Sequence, residues 1–405
     1  MIITDRFQPL LERVKHIKTQ SFYPYFQPIS RSFGPEVEVG DLRLVMIGSN
    51  DYLGLTHDAY VLDRAEAALR RWGTGSGGSR FLSGNMTLHE ELEIRLAAFV
   101  GKKCALVHTT GFLANLGAIS TLIAPDDIIL YDKENHASIA EGCRSSAARI
   151  TYFDHNNATE ARRKLVNTRK KNLDTTIFLI TEGVFSMSGD VSALPELVAF
   201  KEDYPELIIY LDDAHGLGVM GKGGRGTAMH FGCVDKVDYI MGTFSKAMAS
   251  IGGFIATDNE DVLLCVKHNS KTLIFSAALP ACNAATVLAC LDILEREPER
   301  VERLWHNTEK VRAGYNDIGL ITGTSASPIV PIYIGDDDLA LAFSSELFKY
   351  KIFALPALYP AVPKGKALIR TAYMSTHEDR HIDYVLEVLA KMAKKYRIRQ
   401  CDLES

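Results

Sequence analysis

Leu207-Ile208-Ile209-Tyr210-Leu211-Asp212-Asp213-Ala214-His215-Gly216 is the stretch that decides the fold. Its first five residues are apolar without alternation, the pattern of a strand covered on both faces. Two carboxylates follow at the end of the run, where ionised groups are costly unless something pairs with them. In an open α/β sheet that end is where ligands bind. Asp212 could hold a cationic ring nitrogen there, with His215 three residues on beside a phenolic oxygen. The plainer alternative is a helix cap by Asp213 next to a satisfied histidine.

Working outward, similar apolar runs occur at 104–109, 127–132, 176–181, 237–242 and 253–257. Helical patterns at 87–100, 112–123 and 136–146 separate some of them. This alternation predicts an α/β protein with a mainly parallel central sheet in a large domain, residues 46–280. From Pro280 the texture changes. Helical patterns at 281–296 and 300–318 precede strand-like 329–334 and 367–371. Ile382, Val385, Leu386, Leu389, Ala393 and Tyr396 then recur at helical spacing. These predict a smaller α+β C-terminal domain, residues 281–405. Residues 1–45 read as an arm: a helix over 7–19, the aromatic run Phe22-Tyr23-Pro24-Tyr25-Phe26, and a strand pair.

The composition bounds the function. The 405 residues are 47% hydrophobic and 23% charged, enough apolar material for two or three packed units and too much for a disordered chain. The 45 basic and 50 acidic side chains give a net charge of −5, which argues against a generic nucleic-acid binder. Cys104, Cys143, Cys233, Cys265, Cys282, Cys290 and Cys401 are odd in number and form no C-x-x-C pair. That predicts neither a disulfide framework nor a metal site, and a reducing compartment. Residues 1–20 lack a secretory h-region. The longest nearly apolar stretch, 277–294, is interrupted by Pro280, Asn283, Thr286 and Asp292, so it reads as a core helix rather than a span. The expected location is therefore cytoplasmic. The basic tail 391–399, with Lys391, Lys394, Lys395, Arg397 and Arg399, reads first as a solvated helix end and second as a peripheral contact with the inner face of a membrane.

Several motifs could carry chemistry. Gly216–Lys222 starts like a phosphate loop, but Gly223 stands where a magnesium-binding hydroxyl is needed. Gly221–Gly226 matches G-x-G-x-x-G, but its strand ends eight residues too early for a dinucleotide fingerprint. Gly242-Thr243-Phe244-Ser245-Lys246 follows an apolar strand directly. Lys246 precedes small residues, so poor solvation should lower its pKa and favour Schiff-base and proton-transfer chemistry. The plainer reading of any one lysine is a solvated surface charge. Thr109-Thr110-Gly111-Phe112 stands at a strand-to-helix junction, a ready anion site or a simple cap. Asn135-His136-Ala137-Ser138 puts His136 at the same sheet edge, free to stack on a planar ring or to serve as a core histidine. Together these pieces suit pyridoxal 5′-phosphate (PLP): a phosphate, a pyridinium nitrogen, a phenolic oxygen and an aldehyde.

With these motifs the chain resembles the α-oxoamine synthase family of fold-type-I, aspartate aminotransferase-like PLP enzymes. The resemblance runs from Gly48-Ser49-Asn50-Asp51-Tyr52-Leu53-Gly54 to Leu368-Ile369-Arg370. It passes through Gly73-Thr74-Gly75-Ser76-Gly77-Gly78-Ser79-Arg80 and Thr181-Glu182-Gly183-Val184-Phe185-Ser186-Met187. It implies that Lys246 binds the cofactor aldehyde as an imine and later removes the substrate Cα proton. Asp212 would hold the pyridinium N–H, His215 the ring oxygen, and His136 the ring face. Gly111, Phe112, Thr243 and Ser245 would bind the phosphate and the ring's surroundings, with Ser186 nearby. Ser276 would reach the phosphate from a partner subunit, which implies a homodimer with shared active sites. Asn50 and Arg370 would hold the substrate carboxylate.

The implied reaction condenses an amino acid with an acyl thioester and releases CO2. Stretches such as 23–29, 242–254 and 266–269 resemble the bacterial members that join L-serine to palmitoyl-CoA or an acyl carrier protein thioester, giving 3-ketodihydrosphingosine. Gly216 after His215 is instead common in the members that use L-alanine and a pimeloyl thioester. The stretch 359–365 resembles the glycine C-acetyltransferases. An aminotransferase, and a non-catalytic subunit that uses the fold for partner binding, are the readings from other classes.

Overall fold

The computed structural model describes residues 3–19 and 23–398. Phe22, Arg399 and Cys401, named above, lie outside the described residues. The chain divides into two units. The larger comprises Asn50–Ser186 and Asp190–Glu302; the smaller comprises Met1–Ser49, Met187–Gly189 and Arg303–Ser405.

The larger unit is built on a seven-stranded sheet. Its order is Cys104–His108, Gly253–Thr257, Tyr239–Thr243, Ile208–Asp212, Ile177–Glu182, Ile128–Asp132 and Arg149–Phe153. Gly253–Thr257 runs antiparallel to both neighbours, and every other pairing is parallel. The central strands are buried residue by residue, as their unbroken apolar runs require. The edge strand Arg149–Phe153 is half exposed, and its mixed sequence carried no such signal.

Helices Gly111–Leu122 and Ala137–Ser146 lie against the sheet. Ala114, Ala118, Ile119, Ile139 and Cys143 pack with Ile129, Ile180 and Met241. Burying each such isoleucine stabilises the fold by roughly 1.5–3 kcal/mol. The first helix starts at a strand-following cap: Thr110 Oγ1 accepts from the Leu113 N–H at 3.1 Å.

The expected division at residue 280 shifts. Helix Ala281–Arg296 belongs to the larger unit, and the division falls after Glu302. The helix is buried along most of its length, with Ala281 and Ala285 against Ala68, Trp72, Met86 and Leu88. A helix apolar on nearly all sides is a core helix, not the start of a new domain.

The N-terminal arm is likewise no separate segment. Leu42–Met46 pairs antiparallel with Glu36–Val39 and parallel with Ile352–Phe353, so the first strands and the C-terminal part share one sheet. Ile29–Ser32 completes that sheet. A second sheet orders Ile332–Gly335, Ala367–Arg370 and Leu355–Ala357. Its core gathers Tyr315, Ile332, Phe343 and Ile369 with Ile382, Val385 and Leu389 of helix Asp379–Tyr396.

In the basic tail, Lys391 pairs with Glu387 and Lys395 with Glu346, each at 2.6 Å. Among the described residues, no helix is long and apolar enough to cross a membrane, and no His/Cys/Asp/Glu cluster could hold a metal.

Candidate active site

The parallel strands end along one edge, which brings His108, Thr243, Asp212, Glu182 and Asp132 onto a common rim. In register, Glu182 pairs with Asp212, and Asp212 with Met241. A cavity of about 320 Å³ opens there. Gly111 and Phe112 line it from the first helix, His136 from the loop after Ile128–Asp132, and Asp212 and His215 from the loop after Ile208–Asp212. Thr243, Ser245 and Lys246 line it from the loop after Tyr239–Thr243.

Asp212 is buried, and each of its carboxylate oxygens accepts a hydrogen bond. Its Oδ2 accepts from Asn115 Nδ2 at 2.6 Å, and its Oδ1 from the Ala214 N–H at 3.0 Å. Asn115 spends its whole amide here, accepting from the Tyr210 hydroxyl at 2.8 Å and donating to Ser138 Oγ at 2.9 Å. Ser138 Oγ, accepting from Asn115, turns its own hydrogen to His136 Nδ1 at 2.8 Å. That leaves Nε2 as the protonated nitrogen of a neutral His136. Burial holds this imidazole below its ordinary pKa; Asp212 opposes the shift and the Lys246 ammonium adds to it.

Glu182 lies beside this chain, buried, and accepts from the His136 backbone N–H at 2.6 Å. Burial, reinforced by the neighbouring Asp212 charge, raises its pKa well above the carboxylate range. His215 shares a 2.7 Å hydrogen bond through Nδ1 with the buried Tyr52 hydroxyl.

Across the cavity is a cradle of small donors. Thr110, Gly111 and Phe112 open the helix, and Thr243 Oγ1 lies 3.0 Å from Ser245 Oγ. A Cβ on Gly111 would meet Thr243 Oγ1 at 2.5 Å and Met241 Cε at 3.1 Å, so only glycine keeps the cradle open. Free N–H groups at a helix start, flanked by hydroxyls, suit a dianion.

The near-miss glycine loop 216–226 is a structural closure. Asp213 accepts from the Thr227 N–H and Oγ1, both at 2.6 Å, tying the far end of that loop to the sheet. Burial raises the Asp213 pKa to about 6.

Eight of the expected site residues thus share the cavity: Gly111, Phe112, His136, Asp212, His215, Thr243, Ser245 and Lys246. Four do not line it. Ser186 sits in the turn after Ile177–Glu182. Ser276 borders a small separate gap with Arg80 and Thr109. Asn50 opens the larger unit, its Oδ1 accepting from the Tyr52 hydroxyl at 3.4 Å. Arg370 ends a strand of the smaller unit.

The sequence alone assigns no role to Asn115, Ser138, Glu182 or Tyr52. The available signal is Asn115 among the apolar residues that open its helix, and Glu182 ending a mostly apolar strand.

The aminotransferase class I and II family model matches residues 43–389. The chain is 42% identical over 389 residues to a serine palmitoyltransferase of Bacteriovorax stolpii, covering 96% of this chain and 92% of that one. It is 36% identical over 387 residues to an 8-amino-7-oxononanoate synthase of Thermoanaerobacter pseudethanolicus, covering 96% and 97%. A solved structure of a serine palmitoyltransferase variant from S. paucimobilis, with a bound PLP–myriocin aldimine, superposes with a TM-score of 0.93 at 29% identity, covering 98% and 100%.

Fold and site together define a transferase of fold type I. The chain belongs to the class I and II aminotransferase family and, within it, to the α-oxoamine synthases.

Proposed function

We propose that this chain is a PLP-dependent serine palmitoyltransferase: it condenses L-serine with a long-chain acyl thioester such as palmitoyl-CoA, releasing CO2 and the thiol. Buried Asp212, facing the same cavity as Lys246, carries the cofactor reading. The 42% identity to a serine palmitoyltransferase over 96% of the chain supports the substrate reading.

The residues fit the cofactor. The Gly111–Phe112 helix start with Thr243 and Ser245 would take the phosphate, Asp212 the pyridinium N–H, His215 the phenolic oxygen and Lys246 Nζ the aldehyde carbon. Bound PLP supplies an electron sink for negative charge at the amino acid's Cα. Asp212 would hold the ring nitrogen of that sink, and Asn115 and the Ala214 N–H aim its carboxylate. Neutral His136 presents a flat face without adding a competing positive charge. Lys246 Nζ moves the Cα proton.

On the family likeness we assign the substrate carboxylate to Asn50 and Arg370, and a place near the cofactor to Ser186. The same likeness supports a homodimer in which Ser276 serves the partner's phosphate site. A peripheral membrane contact by the tail draws little from Lys391 and Lys395, already neutralised by carboxylates.

The test is thiol release from palmitoyl-CoA with L-serine, L-alanine or glycine, with product masses. L-Serine should give the fastest release. A keto acid without free CoA would assign transamination instead, and fastest release with L-alanine the oxononanoate-type reaction. Lys246→Ala, folded and fully active, would sink the proposal outright.

A further inference from the structure

Asp132 ends its strand at the site edge and starts the loop that carries His136. Asp190 closes the turn that carries Ser186, its carbonyl accepting from the Phe185 N–H at 3.0 Å. Both carboxylates are buried, and buried carboxylates need a partner. His155 stands between them, with Nδ1 at 3.0 Å from Asp132 Oδ1 and Nε2 at 2.9 Å from Asp190 Oδ2.

Two acceptors require two donors, so both ring nitrogens carry hydrogen and the ring is an imidazolium. The third carboxylate facing it is Glu134, 3.7 Å from Nε2. Phe185 packs edge-on against the ring at 4.3 Å. Asn156 repeats the bridge: its N–H donates to Asp132 Oδ2 at 2.8 Å and its Nδ2 to Asp190 Oδ2 at 3.0 Å. None of these groups lines the cavity.

We infer that His155 is a positioning residue: by bridging Asp132 and Asp190 it sets the loop that presents His136 to the cofactor and the turn that carries Ser186. The inference rests on the proposed function for the roles of those two residues. The bridge itself is a property of the chain. A neutral side chain here would leave the two buried carboxylates only their Asn156 and Glu134 N–H donors and would remove the balancing charge from both.

The experiment is amide hydrogen exchange on the full-length, PLP-loaded protein, with His155→Gln against wild type. Exchange in 132–138 and 183–192 should quicken by about tenfold or more, while helix Ala281–Arg296 is unchanged. At a temperature where the variant is fully folded, kcat should fall about tenfold with the serine KM held within about twofold. Unchanged exchange in both loops, or an equal rise across the larger unit, would overturn the inference. If His155→Gln does not fold, Asp190→Asn leaves the His155–Asp132 pair in place. It should then loosen 183–192 alone, and loosening of neither loop, or of both equally, would overturn the inference. Because exchange reads the chain directly, that failure is distinct from a failure to take up PLP.

Discussion

Asn115 Nδ2 lies 2.6 Å from Asp212 Oδ2, so a helix residue four positions past its start holds the carboxylate at the end of a strand ninety-seven residues away. The same amide takes the Tyr210 hydroxyl and gives to Ser138. The cavity floor is therefore one connected set of hydrogen bonds running from Tyr210 to His136.

Asn115→Ala removes a charge-assisted bond and strands the Tyr210 hydroxyl. The cost should be about 2 kcal/mol, an order of magnitude or more in PLP affinity, read by titrating the apo protein with cofactor. Asn115→Asp should be worse, because it adds a carboxylate beside Asp212 and Glu182. Wild-type affinity in both variants would show that Asp212 needs no such support.

How far this site could be read in advance follows from where its residues sit. Asp212 and Lys246 end or follow apolar strands, so polarity against an apolar run marks them. Asn115 and Ser138 lie inside helices that were legible as helices. Their chemistry appears only when two helices and a strand converge, which no periodicity encodes. Tyr52 and Glu182 stood within quoted motifs, but their partners His215 and His136 are far away in the chain. The fold shows the same limit. Buried central strands announce themselves, while the exposed edge Arg149–Phe153 does not. Helix Ala281–Arg296 was legible as an element, yet its owner was set by Ala68 and Trp72, more than two hundred residues earlier.

Gly111→Ala tests the anion cradle. The added methyl would press on Thr243 Oγ1 at 2.5 Å and Thr243 Cβ at 2.9 Å. Overpacking of this kind costs typically 1–3 kcal/mol, and here it also narrows the space for the phosphate. PLP affinity should drop about tenfold or more, with inorganic phosphate competing less well than in wild type. An unchanged cofactor titration would move the phosphate away from this helix start.

His155 supplies a pH signature. Burial by itself would lower its pKa, but the hydrogen bonds and charges of Asp132 and Asp190 prevail and raise it to about 10. A base raised on folding stabilises fully below its ordinary pKa of about 6.5 and loses that contribution as pH climbs through the folded value. Wild type should therefore lose as much as roughly 4 kcal/mol between neutral pH and pH ~10, beyond what His155→Gln loses over the same range. Urea unfolding at a series of pH values measures both curves. Parallel curves would mean that the ring is not charged in the folded chain.

Gly216 was the residue that pointed toward the alanine-using enzymes, and the structure offers a different reason for it. A Cβ there would collide with Asp213 Oδ1 and Thr227 Oγ1, the two atoms that close the glycine loop. In this chain glycine is required by that closure, whatever amino acid the enzyme takes. Gly216→Ser should accordingly destabilise by about 1–3 kcal/mol, seen as a lower melting temperature, because either the Asp213–Thr227 bond or the backbone must give. It should leave the ranking of L-serine over L-alanine as in wild type when thiol release is compared at a temperature where both proteins are folded. A reversal of that ranking with little loss of stability would return Gly216 to the substrate and reopen the choice between the two reactions.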